Sequence, residues 1–291
     1  MAEKAFDIND AKIRDEGKIN WDTIVALIVF HILAIVALFY FSWTNLLVAF
    51  VMWWIAGSLG IGLGYHRLLT HRSFKTPKWF EYFLAFCGTL AVQSGAVKWV
   101  TTHRIHHAHT ETEHDPHSPR NGSYWAHIGW IMQGTSQEHD EATIRRFAPD
   151  LAKDKVHRWM SHNYIVPTII LGIILYFIGG VGMMLWGVFL RTVWGWHSTW
   201  LVNSATHMWG SRRFETRDDS TNNALIALLT FGEGWHNNHH AQPSSARHGL
   251  AWYEIDVNYI TIKLLEAVGL AKQIRVYKLK EAQTLEVEQA A

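Results

Sequence analysis

NLLVAFVMWWIAGSLGIGLGYHRLLTH, residues 45–71, decides the fold. Its first twenty residues carry no charge and match the ~20 apolar residues a helix needs to cross a bilayer. The same stretch runs directly into His66 and His71. An apolar span that ends in paired imidazoles places metal-ligating chemistry at a membrane surface.

Three further stretches read as spans: 21–41, 163–180 and 182–202. Residues 79–97 are also apolar, but Glu81, Gln93 and several small residues make an interfacial or re-entrant helix the better reading. The Ser42–Thr44 and 179–182 connections are uncharged. Lys12, Arg14 and Lys18, the group Arg67, Arg72, Lys75 and Lys78, and Arg212, Arg213 and Arg217 flank the spans at their other ends. The positive-inside rule then puts both termini and the polar mass in the cytoplasm. The fold class expected is an all-α integral membrane protein, multi-pass, with four transmembrane helices. A cytoplasmic helical cap, residues 65–162 and 203–275, holds a histidine-ligated di-metal site, and 276–291 form a tail. All of 1–291 reads as one domain. The N-terminus is too polar for a cleavable signal.

Composition excludes several classes. A single cysteine, Cys87, allows neither an intrachain disulfide nor a cysteine-based metal site. A formal net charge of +1 gives no basic excess for nucleic acid.

Nine of the nineteen histidines fall into four groups: His66 and His71; His103, His106 and His107; His207, four residues after Asn203; and His236, His239 and His240. A helical i, i+3, i+4 triplet turns three rings to one side. Asn203 and His207 also share a face. His66 and His71, five apart, lie about 140° apart on an ideal α-helix, so a helix is expected to end between them. Nine imidazoles exceed what one metal uses and suit two centres with four or five each. Imidazole accepts Zn, Cu, Fe and Ni alike, and spacing alone leaves the metal open. The helical His-Glu-x-x-His of zinc hydrolases is absent. His31, His139, His157, His162 and His248 read as surface or internally satisfied residues, and His109, His114 and His117 as loop residues or partners behind the ligands. A non-catalytic metal-binding or transport protein is the reading from another class. Transporters, however, place their ligands near the bilayer midplane, not at the helix ends.

GLGYHRLLTHRSF (62–74), HRIHHAHTETEHDPH (103–117), WLVNSATH (200–207) and GEGWHNNHHAQP (232–243) closely resemble the boxes of the membrane fatty acyl delta-9 desaturases. The likeness runs from about residue 20 to about 270 and is nearer to the cyanobacterial acyl-lipid enzymes than to the animal acyl-CoA ones. The resemblance implies two Fe ions held by His66, His71, His103, His106, His107, His207, His236, His239 and His240, with Asn203 acting through a water. Zinc can take the same imidazoles in recombinant material. It further implies O2 as oxidant, a ferredoxin or cytochrome b5-like electron donor, and insertion of a cis delta-9 double bond into a saturated stearoyl or palmitoyl chain. It assigns Gln93, Trp99 and Thr199 to the kink of the acyl tunnel and Trp54 to its far end. Trp54, Ser58 and Gly62, four apart, form one helix face that serves equally as tunnel wall or packing surface. Arg191, alone and deep in the fourth span, is expected to brace the interior.

The animal enzymes carry head-group-binding charges where this chain has Thr101–Thr102 and Gly134–Thr135. The substrate expected is therefore an acyl group on a membrane glycerolipid. Acyl-CoA is the alternative, and acyl carrier protein a weaker one.

Overall fold

A computed structural model describes residues 18–133 and 138–279. Gly134 and Thr135 lie outside the described residues, as do Lys12 and Arg14. The fold is all-helical. Among the described residues there is no strand, only isolated bridges such as Lys75 with Lys272.

Three helices are long and apolar enough to cross a membrane. The first is α1, Trp21–Leu38, capped by the Asn20 side chain accepting from the Thr23 amide. Only 17% of its apolar window is buried, and Ile28, Ile32, Ile35 and Phe39 face outward. The second, α2, runs Trp43–Thr70 and starts at a Ser42 cap. From Trp54 onward it takes a wider turn, with bonds of the His71 N–H→His66 O kind, five residues back. Such π-helical turns are rare and concentrate at functional sites.

The third is Val166–His207, and Gly179 and Gly180 interrupt it with non-helical backbone, Gly180 at φ +71°. The chain doubles back there: a Cβ built on Gly187 would fall 2.4 Å from Leu175 Cδ1, although a straight α-helix would carry residues twelve apart about 18 Å from each other. The first limb is the part of α6, Val166–Met184, before the glycine pair; the rest of α6 runs through the wider turn Leu185–Leu190 into α7, Arg191–Ser204, as the second.

The apolar stretch 79–97 is not one helix. It forms α3, Lys78–Thr89, then a break with positive φ at Val92 and Ser94, then α4, Ala96–His109. Twelve residues of α3 reach about 18 Å, short of the ~30 Å hydrocarbon core. α2 and α3 lie almost backbone to backbone, since a Cβ on Gly60 would sit 2.4 Å from the Gly88 nitrogen. Leu63, Tyr65, Leu84, Val100 and Ile262 form the core joining α2, α3, α4 and Val257–Ala267. This packing fixes the polar end of α2 against α4. Helix α5, Lys155–His162, closes that side through Lys78, Glu81, Asp154 and His157.

Candidate metal centre

All nine grouped histidines converge. His66, His71, His103, His107 and His239 place one nitrogen each within 4.8 Å of one another, and so do His106, His207, His236 and His240. The two clusters adjoin, with His107 against His240 at 4.7 Å between ring centroids.

The triplets do not each serve one metal position, as three rings on one face would. On α4, His103 and His107 enter the first cluster and His106 the second. On the short helix His236–Ala241 the order reverses: His236 and His240 enter the second and His239 the first. Residues i and i+4 lie about 40° apart on a helix and i+3 points about 60° to the other side of i, so two facing triplets exchange their middle residues.

His66 and His71 correct a second expectation. Their rings lie 4.7 Å apart in the same cluster, although the helix does end between them, at Thr70 with His71 as its cap. The wider π-turn brings residues five apart onto one face, which the α-helical reading forbade.

Four carboxylates that sequence reasoning passed over stand behind the imidazoles. Glu233 accepts from His66 Nδ1 at 2.5 Å, Asp115 from His106 Nδ1 at 3.0 Å, Glu111 from His207 Nδ1 at 2.9 Å and Asp218 from His240 Nδ1 at 2.8 Å. For three of them the available signal was their place inside the boxes: Glu111 and Asp115 follow the first triplet and Glu233 precedes the second. Glu233 also binds Arg67 and Asn258. Burial opposes its ionisation, but Arg67 and His66 hold its carboxyl well below the usual range. Burial likewise disfavours the charged form of Asp115, while His106 and His117 keep it ionised. His117 stacks on His106 at 4.4 Å, a partner behind the ligands. His248, read from sequence as a surface or internally satisfied residue, is internally satisfied, buried between Arg67 and His239.

This donor set fits a metal. With Nδ1–H given to a carboxylate, Nε2 carries a lone pair. His66 Nε2 faces His239 Nε2 at 3.1 Å, and His207 Nε2 faces His236 Nε2 at 3.0 Å. His71, His106 and His240 leave Nε2 buried without a hydrogen-bond partner. A cation turns such converging lone pairs into ligation, and carboxylate-backed imidazoles are the usual outer arrangement of metal-bound histidine. Burial, then neighbouring imidazoles, push His103, His107, His236 and His239 well below the ordinary range. They are therefore neutral at physiological pH, as ligands must be.

A cavity in two adjoining parts meets the clusters. The outer part, about 420 Å³, is lined by Asn20, Asp22, Lys98 and Tyr164, and the inner part by Trp53, Gly57, Thr192 and Phe231. Gln93, Trp99, Thr199, His103 and Asn203 line both parts. Gln93 Nε2 donates to Thr199 Oγ1 at 3.0 Å and Trp99 Nε1 to Gln93 Oε1 at 3.4 Å, so the three expected kink residues meet at the junction. Trp54 does not line the cavity. Its neighbour Trp53 does, ringed by Trp194 and Phe231 at 5.9 and 4.4 Å. Ser58 instead donates to Asn258 at 2.6 Å, and Gly62 packs on the same Asn258. Arg191 donates to the carbonyls of Gly187 and Leu90 from a buried position, tying α7 to the end of α3 as a brace.

The fatty acid desaturase family profile matches residues 41–257. The chain belongs to the fatty acid desaturase family. It is 48% identical over 266 residues to an sn-1 stearoyl-lipid 9-desaturase of Anabaena variabilis, covering 91% of this chain and 97% of the relative. It is 45% identical over 258 residues to an sn-2 palmitoyl-lipid 9-desaturase of Nostoc sp. (strain 36), covering 88% and 90%. An icosanoyl-CoA 5-desaturase of Limnanthes douglasii is 44% identical over 267 residues, covering 91% and 75%. In this desaturase the four boxes that carried the resemblance are the segments that build both clusters.

Proposed function

We propose that the chain is an acyl-lipid delta-9 desaturase that inserts a cis double bond into a stearoyl or palmitoyl chain of a membrane glycerolipid. The observation that carries this reading is a two-part cavity whose parts share Gln93 and Thr199, bonded to each other, and His103 of the first cluster. An acyl chain is unbranched and its methylenes are chemically alike, so only a bend that holds one pair against the centre selects them.

In this account His66, His71, His103, His107 and His239 hold one iron. His106, His207, His236 and His240 hold the other, with Asn203 supporting it through a water. The pair supplies O2-dependent removal of two hydrogens from adjacent methylenes. The chain's own residues do the rest. Gln93 and Thr199, bonded to each other, leave a kinked path beside Trp99, whose ring stacks on His103 at 4.9 Å. Trp53 and Phe231 wall the inner end and keep water from it. Glu233, Asp115, Glu111 and Asp218 hold the Nδ1 protons, so Nε2 stays free to ligate.

The cavity mouth favours a lipid over CoA. Its charged lining is Asp22, Glu138 and Lys98, two carboxylates against one ammonium, and Lys98 is paired with Glu138. Thr101 and Thr102 are buried and bond backbone carbonyls. Polyanionic CoA phosphates find no cationic seat among these residues.

The topology belonging to this reading has four crossings: α1, α2, α6, and α7 with its lead-in turn. Both termini and the metal centre lie on the cytoplasmic side, where Arg72, Lys75, Lys78, Arg212 and Arg213 cluster. Electrons arrive from a separate ferredoxin or cytochrome b5-like protein. A groove over His71, His107 and His240 is edged by Arg72, Arg104, Arg146 and Arg275, which suits an acidic donor.

Expression in a host rich in saturated lipid tests the reading. A new cis-9 monoene in the glycerolipids supports it. A hydroxy acid, or an unchanged acyl profile with the protein folded in the membrane, refutes it.

A further inference from the structure

The structure has an apolar groove that the reacting chain does not use. It runs between the two limbs of the third long helix, beside Phe30 of α1, lined by Ile169, Gly172, Ile173, Phe177 and Phe189 among others. From Ile165 to Phe177 it follows α6 for about 18 Å, which is close to the ~15 Å depth of one hydrocarbon leaflet. Phe30 and Ile165 line both this groove and the outer part of the substrate cavity. The two therefore adjoin where polar Asn20, Asp22 and Tyr164 give way to apolar Phe30 and Ile165.

We infer that this groove seats the second, non-reacting acyl chain of a two-chain glycerolipid while the first chain occupies the cavity. The inference rests on the acyl-lipid reading and deepens it. The two chains of a glycerolipid diverge within three carbons of the backbone. A substrate with one chain in the cavity must send the other away from the mouth, and the groove begins there. Thr168 and Tyr176 carry the only hydroxyls among otherwise apolar lining residues. Gly172 widens the floor, since a Cβ there would meet only Val188 Cγ2 at 3.5 Å and Met184 Cγ at 3.9 Å. The groove is open on its outer side, toward Ile169 and Ile173, which are exposed. A lipid thus enters sideways from the bilayer without its second chain passing through protein. A single-chain thioester leaves the groove to bulk lipid.

The test compares three stearoyl substrates on the iron-loaded enzyme in nanodiscs with a ferredoxin donor: a diacyl glycerolipid, the lysolipid with the same head group, and stearoyl-CoA. Gly172→Leu and Ile169→Trp narrow the groove and touch neither the metal clusters nor the cavity. The expected result is a tenfold or greater loss on the diacyl lipid with less than twofold change on the lysolipid. Equal losses on both, or no loss on the diacyl lipid, overturn the groove. A wild-type preference for stearoyl-CoA overturns the acyl-lipid reading itself, and is seen before any variant is made. A glycerolipid with a diazirine near the end of its non-reacting chain gives a readout on wild-type protein, independent of whether the variants fold. Crosslinks within 165–189 that excess lysolipid suppresses support the groove. Crosslinks elsewhere, or indifferent to lysolipid as bulk annular lipid would be, refute it.

Discussion

Glu233 Oε2 lies 2.5 Å from His66 Nδ1, and the opposite oxygen of the same carboxylate binds the buried guanidinium of Arg67. One side chain thus orients a ligand of the first cluster and neutralises a charge beneath it. Glu233→Gln keeps the shape, removes the negative charge and leaves Arg67 to Asp256 alone. Activity is expected to fall about 10–100-fold, with metal content dropping from two toward one per chain. His239→Ala or His106→Ala removes a ligand outright and is expected to abolish turnover while the protein still inserts. Metal analysis alongside turnover checks this; a Glu233→Gln enzyme with full metal and full activity contradicts it.

Trp53, which lines the inner part of the cavity, is expected to set the chain length accepted. Trp53→Ala opens the inner cavity toward Trp194 and is expected to admit acyl chains two or more carbons longer. The double bond stays at the same distance from the carboxyl end, because the Gln93–Thr199 junction is untouched. Trp54→Ala, off the cavity, is expected to leave the product profile alone. Gas chromatography of products from both variants decides between the neighbours.

Acid sensitivity has a local contributor outside the metal centre. His139 is half-buried against Thr102, and burial lowers its pKa to about 4. The unfolded chain, with an ordinary imidazole near ~6.5, binds more protons between these values. Stability is therefore full above about pH 6.5 and is lost as pH falls toward 4. His139→Asn should flatten this part of the melting profile, by on the order of 1 kcal/mol at pH 5 given partial solvent screening. Parallel wild-type and variant profiles from pH 7 to 5 would remove His139 from the account.

The groove of arginines over His71, His107 and His240 predicts a kinetic signature. Arg146→Glu and Arg275→Glu are expected to raise the KM for an acidic donor about tenfold and to weaken the salt dependence of turnover. The rate with a small neutral reductant should not change. Steady-state kinetics against donor concentration at two ionic strengths is the check.

Much of the architecture was legible because its signals are local. Apolar runs of membrane length and boxes of imidazole need only spacing and composition to be read. The rest depended on geometry that spacing does not encode. His66 and His71 share a cluster only because α2 widens into a π-helix, and no residue pattern in YHRLLTH announces that turn. The exchange of His106 and His239 between clusters follows from how two helices face each other, a tertiary fact. That Trp53 and not Trp54 lines the cavity, and that Ser58 bonds Asn258, are likewise facts of tertiary packing. Glu233 and Asp115 stood in plain sight inside the boxes, but their partners are 167 and 9 residues away along the chain.

The central claim is that this chain desaturates an acyl group while it is esterified in a membrane lipid. The most direct measurement gives purified, iron-loaded enzyme a pre-formed glycerolipid carrying one isotopically labelled stearoyl chain, in the same bilayer as differently labelled stearoyl-CoA. The account predicts a labelled cis-9 monoene on the intact glycerolipid, formed faster than on the thioester and absent with His239→Ala. Label appearing first or only in oleoyl-CoA would contradict it.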